Sequence, residues 1–324
     1  MKGQSHGVEH YHECGGEGDQ RPFVSRSRFP PRPDAERQAR NRRWRLETSE
    51  HEESPMAAQC LIDRDPDEAR RRLKLKEQIQ DPTTISVLQR IGVREAWSCL
   101  EVGAGGGSIA VWLCGEVGST GEVVATDIDT TFLHELALPN LTVLRHNVVT
   151  DDLRSAAFDL VHARDVLVHI PERDAVLQKM AGAVRPGGWI LVEEPDASSV
   201  MPDPMAPKTA RQLYSKVITA IYSFLCDKGL DPYCGSTLFT SLRLLGFDSL
   251  HSEARCRTYH GGSGSIQSPH SMAFREVMEP VVSAGAVSAR DSLDFLALFE
   301  EPTFSWREDL TVSTWGRRQE EPRV

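Results

Sequence analysis

The chain has 324 residues, 40% of them apolar, which is enough for one sizeable core. Its formal net charge of −10 speaks against a whole-domain nucleic-acid or anionic-membrane binder, because both need positive charge facing phosphate. No apolar run approaches the roughly 20 residues that span a bilayer, and the polar N-terminus lacks the apolar stretch of a secretory signal; with 7 cysteines scattered and never spaced CxxC, a reduced, cytoplasmic setting is expected.

Residues 1–56 differ from the rest. Arg, Pro, Gly and Glu dominate, no apolar periodicity appears, and such a segment buries too little surface to offset its ordering entropy, so it reads as a disordered tail. Within it His6, His10, His12 and Cys14 are metal-capable, but no second cluster completes a site and no metal is expected. The stretch from Arg21 to Arg45 carries Phe23, Phe29 and Trp44 among its arginines, an RNA-docking composition that also suits a solvated charged tail.

Ordered elements begin near residue 60. Residues 69–80 read as a helix, and Asp81-Pro82 then reads as the cap and first turn of a second one ending at Gly92. A strand over 97–103 leads through a glycine-rich turn into the helix SIAVWLCGEV. Strands follow at 122–127, 141–147, 158–164 and 189–195, with a short helix capped by Asp129 or Thr130 after the second and a helix over 172–184 before Pro186-Gly187-Gly188. Strands rich in Val, Ile and Leu separated by helices predict a parallel sheet covered on both faces, with ligands at the carboxyl ends of the strands. Beyond a proline-rich linker, MPDPMAP, helices are expected at 208–229 and 237–247, a strand at 249–259, a flexible break at 261–265, helices near 270–284 and 289–300, and a last strand at 309–318, antiparallel at the sheet edge.

The informative segment is LEVGAGGGS, residues 100–108. Glu101, Gly103, Gly105 and Gly107 fall on alternate positions at the end of the first strand, where glycine permits positive φ and removes the Cβ that would block a ligand. A dinucleotide fingerprint would need glycine or alanine where Ser108 stands, and its pyrophosphate would be repelled by Glu101, whereas an ammonium-bearing ligand would not. Asp127 ends the second strand, where a carboxylate can accept both ribose hydroxyls of an adenosine; it can equally cap the next helix. His146-Asn147-Val148 follow the third strand, where an amide and backbone groups can read an adenine edge.

These blocks resemble the class I S-adenosylmethionine-dependent methyltransferases, in particular the small-molecule (type 11/12-like) group. CLEVGAGGGSIA resembles the first motif, VVATDID the acidic second-strand motif, FDLVHARDVLVHIP the fourth-strand motif and VRPGGWILVEEP the turn and fifth strand, in family order from about 97 to 196. The resemblance implies a Rossmann-like, doubly wound, seven-stranded and mostly parallel α/β sheet with an antiparallel edge strand and helical lid insertions. It divides 57–324 into N-terminal helices (57–96), a cofactor-binding half (97–196) and a substrate and lid half (197–324).

It also implies residue roles. Glu101, Gly103, Ala104 and Gly105 would face the methionine part of S-adenosyl-L-methionine, Asp127 its ribose, and Ile128, Asn147 and Val148 its adenine. An aspartate often stands in the family where this chain has Asn147. Arg164 would lie near the methionine part or the reacting sulfonium, or pair with Asp165 at the surface. His169, at the helix entry after the fourth strand, suits a general base near neutrality or the packing of the cofactor rim. Glu194 and Asp196 would face the crevice and orient an acceptor, or shape the loop.

The expected function is methyl transfer to a small organic acceptor through O, N or C, with secondary metabolism as a setting and the oligomeric state left open. No N/D-P-P-Y or Pro-Cys motif follows the fourth strand, which disfavours nucleic-acid bases as acceptors. Two alternatives stand beside it: an RNA or protein methyltransferase docking through the arginine-rich tail, and a cofactor-binding member that does not methylate.

Overall fold

The computed structural model describes residues 66–262 and 268–320. The tail, with its expected disorder, its histidine cluster and its arginine-rich stretch, lies outside the described residues, as do residues 263–265 of the expected flexible break.

The element order is α1 (Pro66–Ile91), β1 (Ser98–Val102), α2 (Ser108–Val117), β2 (Glu122–Asp127), β3 (Leu141–Arg145), β4 (Phe158–Arg164), α3 (Arg173–Ala183) and β5 (Val184–Asp196). There follow β6 (Met201–Pro202), α4 (Lys208–Cys226), α5 (Cys234–Leu244), β7 (Phe247–Arg255), β8 (Thr258–His260), α6 (Pro269–Ser283), α7 (Ala289–Leu298), β9 (Ser305–Arg307) and β10 (Leu310–Arg318). A 7-stranded sheet runs β3-β2-β1-β4-β5-β10-β7. Strands β1 to β5 pair in parallel and β10 pairs antiparallel with both β5 and β7. The antiparallel strand thus lies one place in from the edge, and β7, entering after α4 and α5, forms the edge itself.

Period-2 alternation sends each strand's side chains to two different cores. Leu100, Val102, Val161, Ala163, Ile190 and Val192 pack with Val176, Leu177 and Met180 of α3 and Leu238 and Leu242 of α5. Cys99, Val123, Ala125, Leu160 and Leu191 pack on the other face with Val87 and Leu88 of α1 and Ile109, Leu113 and Val117 of α2. A third core joins α4, α6, α7 and β9 through Tyr214, Phe274, Phe295, Phe299, Phe304 and Trp306, with the Phe295 and Phe299 rings edge to face at 5.0 Å.

Four local expectations are corrected. Asp81-Pro82 does not start a new helix, because α1 runs through Pro82 as one 26-residue helix. A proline inside a helix costs about 3 kcal/mol; long-range bonds flank this one and offset it, from Gln80 Nε2 to Asp165 at 3.1 Å, from Arg164 to Asp81 at 2.9 Å and from Thr84 Oγ1 to Glu193 at 2.5 Å. Pro186-Gly187-Gly188 lies inside β5 as a register shift, with Phe158 opposite Val184 but Leu160 opposite Trp189. MPDPMAP is not only a linker, since Met201–Pro202 pairs with β9, which pairs with β8 in a 3-stranded sheet. After β2 there is only a short 3-10 turn, Leu133–Glu135; Asp129 accepts from the Thr131 N–H and hydroxyl and does not cap it.

Phe295 is fully buried where three aromatic rings meet it. Phe295→Ala is expected to lower unfolding stability by about 3–5 kcal/mol, read as a lower urea midpoint at unchanged slope.

Candidate active site

A cleft of about 1440 Å³ opens at the carboxyl ends of β1, β2, β3, β4 and β5, with α1, α4 and α6 forming the opposite wall. At its base lies the glycine turn. Gly103, Gly105 and Gly107 have φ of 68°, 54° and 86°, and a Cβ on Gly103 would stand 2.4 Å from Val166 Cγ2. The left-handed backbone and the packing therefore both demand glycine at 103. The Gly103 and Ala104 N–H groups are taken by the Thr126 carbonyl at 2.8 and 3.0 Å, so the turn is fastened to β2.

Asp127 closes the turn from the other side. Its Oδ2 accepts the Gly105 N–H at 2.8 Å and its Oδ1 the Asp129 N–H at 3.1 Å. Each oxygen keeps acceptor capacity for a further donor. Burial raises its pKa, and the two backbone N–H groups pull against that shift. Ile128, half-buried, and Val148, buried, line the cleft beside it. Phe132 lines it too, with the Arg70 guanidinium 4.6 Å from its ring centre.

Asn147 lines the cleft but is committed to its own loop: its Oδ1 accepts the Val149 N–H at 3.0 Å, and its N–H donates to Asp151 at 3.0 Å. Lys179 of α3 pins the same loop, donating to the Val148, Val149 and Asp151 carbonyls at 2.9, 3.1 and 2.7 Å.

Glu101 faces the α1 side of the sheet, as do its neighbours His162 on β4 and Glu193 on β5. Glu101 Oε2 lies 2.7 Å from His162 Nδ1, and His162 Nε2 lies 3.2 Å from Glu193 Oε2. Burial pushes the imidazole down, but the two carboxylates outweigh it and hold it at about 9, so the ring is a cation at neutral pH. Glu193 also accepts the Thr84 and Ser313 hydroxyls, each at 2.5 Å.

Arg164 reaches α1 and not Asp165. Its guanidinium donates to Thr84 Oγ1 and Asp81 Oδ1, both at 2.9 Å, and its side chain is 12% exposed, which overturns the surface pairing with Asp165. Asp165 is instead held by Lys76 at 2.7 Å and Gln80 at 3.1 Å. Burial raises the Asp165 carboxyl, but Lys76, Arg164 and Gln80 together bring it down to about 2.

His169 sits on the 3-10 turn Leu167–His169 and lines the cleft. Burial, followed by the Lys76 and Arg72 cations, pushes its pKa down to about 4, and its buried Nδ1 has no hydrogen-bond partner. The imidazole is therefore neutral at neutral pH. Glu194 and Asp196 do not face the cleft, because strand alternation turns them to the opposite side from Glu193 and Pro195. Glu194 accepts the Val166, Leu167 and Val168 N–H groups at 3.1, 2.8 and 3.0 Å, and Asp196 accepts from the Ser198 N–H and the Ser236 hydroxyl. Both shape loops.

Residues 100–190 match the family described as a methyltransferase domain. That segment resembles a methyltransferase domain. The strand order of its sheet and the glycine turn opposite an acidic second-strand terminus agree with that match, and the cofactor such domains take is S-adenosylmethionine. Relatives similar to the chain include methyltransferase str2 of Strobilurus tenacellus, 31% identical over 141 residues, covering 43% of this chain and 49% of that protein. Methyltransferase GfsG of Streptomyces halstedii is 28% identical over 121 residues, covering 34% and 42%. The chain thus spans about half the length, or less, of the curated relatives it matches. Among solved structures, the Haemonchus contortus phosphoethanolamine N-methyltransferase 2, in complex with phosphomonomethylethanolamine and S-adenosylhomocysteine, covers 81% of this chain and 59% of its own at 13% identity and a TM-score of 0.49.

Several cleft residues outside the matched segment carry no signal in sequence spacing. Leu73, Lys76 and Glu77 come from α1, and His270, Glu308 and Asp309 from the far end of the chain. His162 was the most accessible to sequence reasoning, since it is a polar residue flanked by Val161 and Ala163 in the middle of its strand.

The buried histidines predict opposite pH limbs. His162 is raised from 6.5 to about 9 in the folded chain, so its stabilisation is full below pH 6.5 and is lost as pH rises through about 9. His169 is lowered from 6.5 to about 4, so its neutral burial favours the fold above pH 6.5 and loses that advantage as pH falls towards 4. In denaturant titrations across pH, His162→Gln is expected to flatten the alkaline limb and leave the acid limb in place; an unchanged alkaline slope would refute the cationic assignment.

Proposed function

We propose that this protein transfers the methyl group of S-adenosylmethionine to a small organic acceptor through an O, N or C nucleophile. The observation that carries the reading is the glycine turn held against Asp127, a backbone cradle beside a buried carboxylate that retains acceptor capacity. The residues present fit the cofactor: a carboxylate for a ribose diol, apolar and aromatic side chains for an adenine, and an acidic group at the glycine turn for an ammonium. When bound, the cofactor supplies the electrophilic methyl and a neutral thioether leaving group.

The chain's own residues position and dry that chemistry. Asp127 accepts the ribose hydroxyls, with its Gly105 and Asp129 N–H donors holding the carboxylate in position. Ile128, Val148 and Phe132 flank the adenine. With its side-chain oxygen used by Val149, Asn147 offers only its amide N–H₂ there. Glu101 and residues 103–105 face the methionine end, where the His162 cation orients the Glu101 carboxylate. Arg164 keeps α1 closed over this end through Asp81 and Thr84, so that the displacement proceeds out of water. His169 is a neutral hydrogen-bond acceptor at the cleft rim; a pKa of about 4 makes it a weak base, and its proposed role is to orient an acceptor proton.

Calorimetric titration tests the reading. S-adenosylmethionine and S-adenosylhomocysteine are expected to bind at micromolar concentration and NAD not at all, with Asp127→Ala weakening the adenosyl ligands at least about tenfold by loss of a charged hydrogen-bond acceptor. A folded protein that binds neither adenosyl ligand sinks the reading. A product heavier than its acceptor by one methyl substituent separates transfer from cofactor binding without methylation.

A further inference from the structure

At the end of the cleft away from the glycine turn, three titratable residues meet that neither the sequence motifs nor the matched segment 100–190 contains. His270, on the first turn of α6, places Nδ1 3.0 Å from Glu308 Oε2 and Nε2 3.1 Å from Asp309 Oδ2. Glu308 and Asp309 join β9 to β10. Because β10 runs antiparallel to β5, with Leu310 opposite Asp196, this junction sits at the carboxyl edge of the sheet, on the cofactor's side. All three residues line the cleft, together with Tyr222, Tyr259 and Phe274.

One feature separates this cluster from a purely structural ion pair. Glu308 is only 7% exposed, yet its second carboxylate oxygen, Oε1, is buried with no hydrogen-bond partner. A buried ionised oxygen without a donor costs far more than a paired one. The other oxygen, Oε2, lies 3.0 Å from His270 Nδ1, so the carboxylate is held beside the imidazole with Oε1 unpartnered on a residue that lines the cleft.

The local charge narrows what can supply the missing donor. The His270 imidazolium offsets one of the two carboxylates. Arg255 and Arg257 line the same wall, and their guanidinium groups are bonded to neutral oxygens, Thr83 Oγ1 and the Ile79 carbonyl. The two guanidinium groups together outweigh the one remaining carboxylate, which makes this end less suited to an ammonium. The aromatic and apolar side chains around it suit an uncharged body.

We propose that Glu308 is the acceptor-positioning carboxylate, and that the acceptor is a neutral, largely apolar molecule whose hydroxyl donates a hydrogen bond to Glu308 Oε1. This rests on the methyltransferase reading above. His270 acts on Glu308 directly by fixing its orientation, and Asp309 acts through His270, which it holds from the other ring nitrogen. During transfer, the acceptor oxygen's lone pair forms the bond to the methyl carbon, the carbon–sulfur pair stays on sulfur, and the hydroxyl proton passes to Glu308 and from it to solvent.

The probes are 2-naphthol and 2-methoxynaphthalene, which share a two-ring apolar body and differ in the hydrogen-bond donor. Binding of each is measured by saturation-transfer-difference NMR titration with the full chain saturated in S-adenosylhomocysteine. Wild type is expected to prefer 2-naphthol by about tenfold or more, the range for a hydrogen bond to a charged group. Glu308→Leu is expected to bring that ratio to about one while its affinity for S-adenosylhomocysteine stays unchanged. Should Glu308→Leu not fold, Glu308→Gln carries the test, since a neutral acceptor is expected to reduce the preference severalfold. Wild type without a preference, including no binding of either probe, or a variant that keeps the full preference, overturns the proposal. Failure of S-adenosylhomocysteine itself to bind overturns the methyltransferase reading instead, so the two failures are distinguishable.

Discussion

The buried row Glu101–His162–Glu193–Ser313 constrains much of this molecule. These residues sit on β1, β4, β5 and β10, next to one another across the sheet and all on the α1 face. Two carboxylates in an apolar interior would be untenable alone. The imidazolium between them makes the row tolerable, and removing one member of such a set typically costs about 3–5 kcal/mol. One negative charge is still left over. The Thr84 hydroxyl and the Arg164 guanidinium answer it, and Thr84 belongs to α1. The charge balance inside the sheet thereby requires a helix to dock on top of it.

That docking explains how α1 survives a proline and why it lies over the glycine turn. The same segment of helix that satisfies the sheet, from Gln80 to Thr84, surrounds Pro82. One turn earlier, Glu77 reaches Gly106 and Ser108, and one turn before that Leu73 touches the space beside Gly105. Helix α2 begins at Gly107 without a side-chain cap of its own, so the Glu77 carboxylate serves its N-terminus from a different helix. Burial, then the nearby Asp81, raises the Glu77 pKa.

The sequence was most informative where structure is local. Helix α2, β2 and β4 appear at the expected residues, because apolar alternation and bracketing glycines determine them without help from elsewhere. The glycine turn and Asp127 were legible for the same reason, being separated by one helix and one strand. Expectations failed where distant partners override local preference. Asp81-Pro82 reads as a helix start until Arg164 and Glu193 are known to grip both sides of it. Glu194 and Asp196 read as crevice residues because β5 was counted from its end; the register with β4 and β10 turns Glu193 to that face instead. Arg164 next to Asp165 invites a neighbour pair, but Asp165 has a left-handed backbone, φ 56°, and its carboxylate goes to Lys76 and Gln80.

The two ends of the cleft are therefore specified by different physics. The glycine-turn end is made by short-range sequence: backbone conformations that only a few residue types adopt, at fixed offsets from strand ends. Such a constraint is recognisable in any chain that meets it. The far end is assembled from α1, α4, α6 and the β9–β10 junction, segments separated by up to more than two hundred positions, and it needs only that a donor, an acceptor and an apolar wall converge. Many sequences meet that requirement with unrelated residues, so no spacing encodes it. A cleft built in this way can keep one glycine-turn cradle while its opposite wall is rebuilt from unrelated residues, and a buried polar atom that lacks a mate, as at Glu308 Oε1, is where such a wall departs from what packing alone requires.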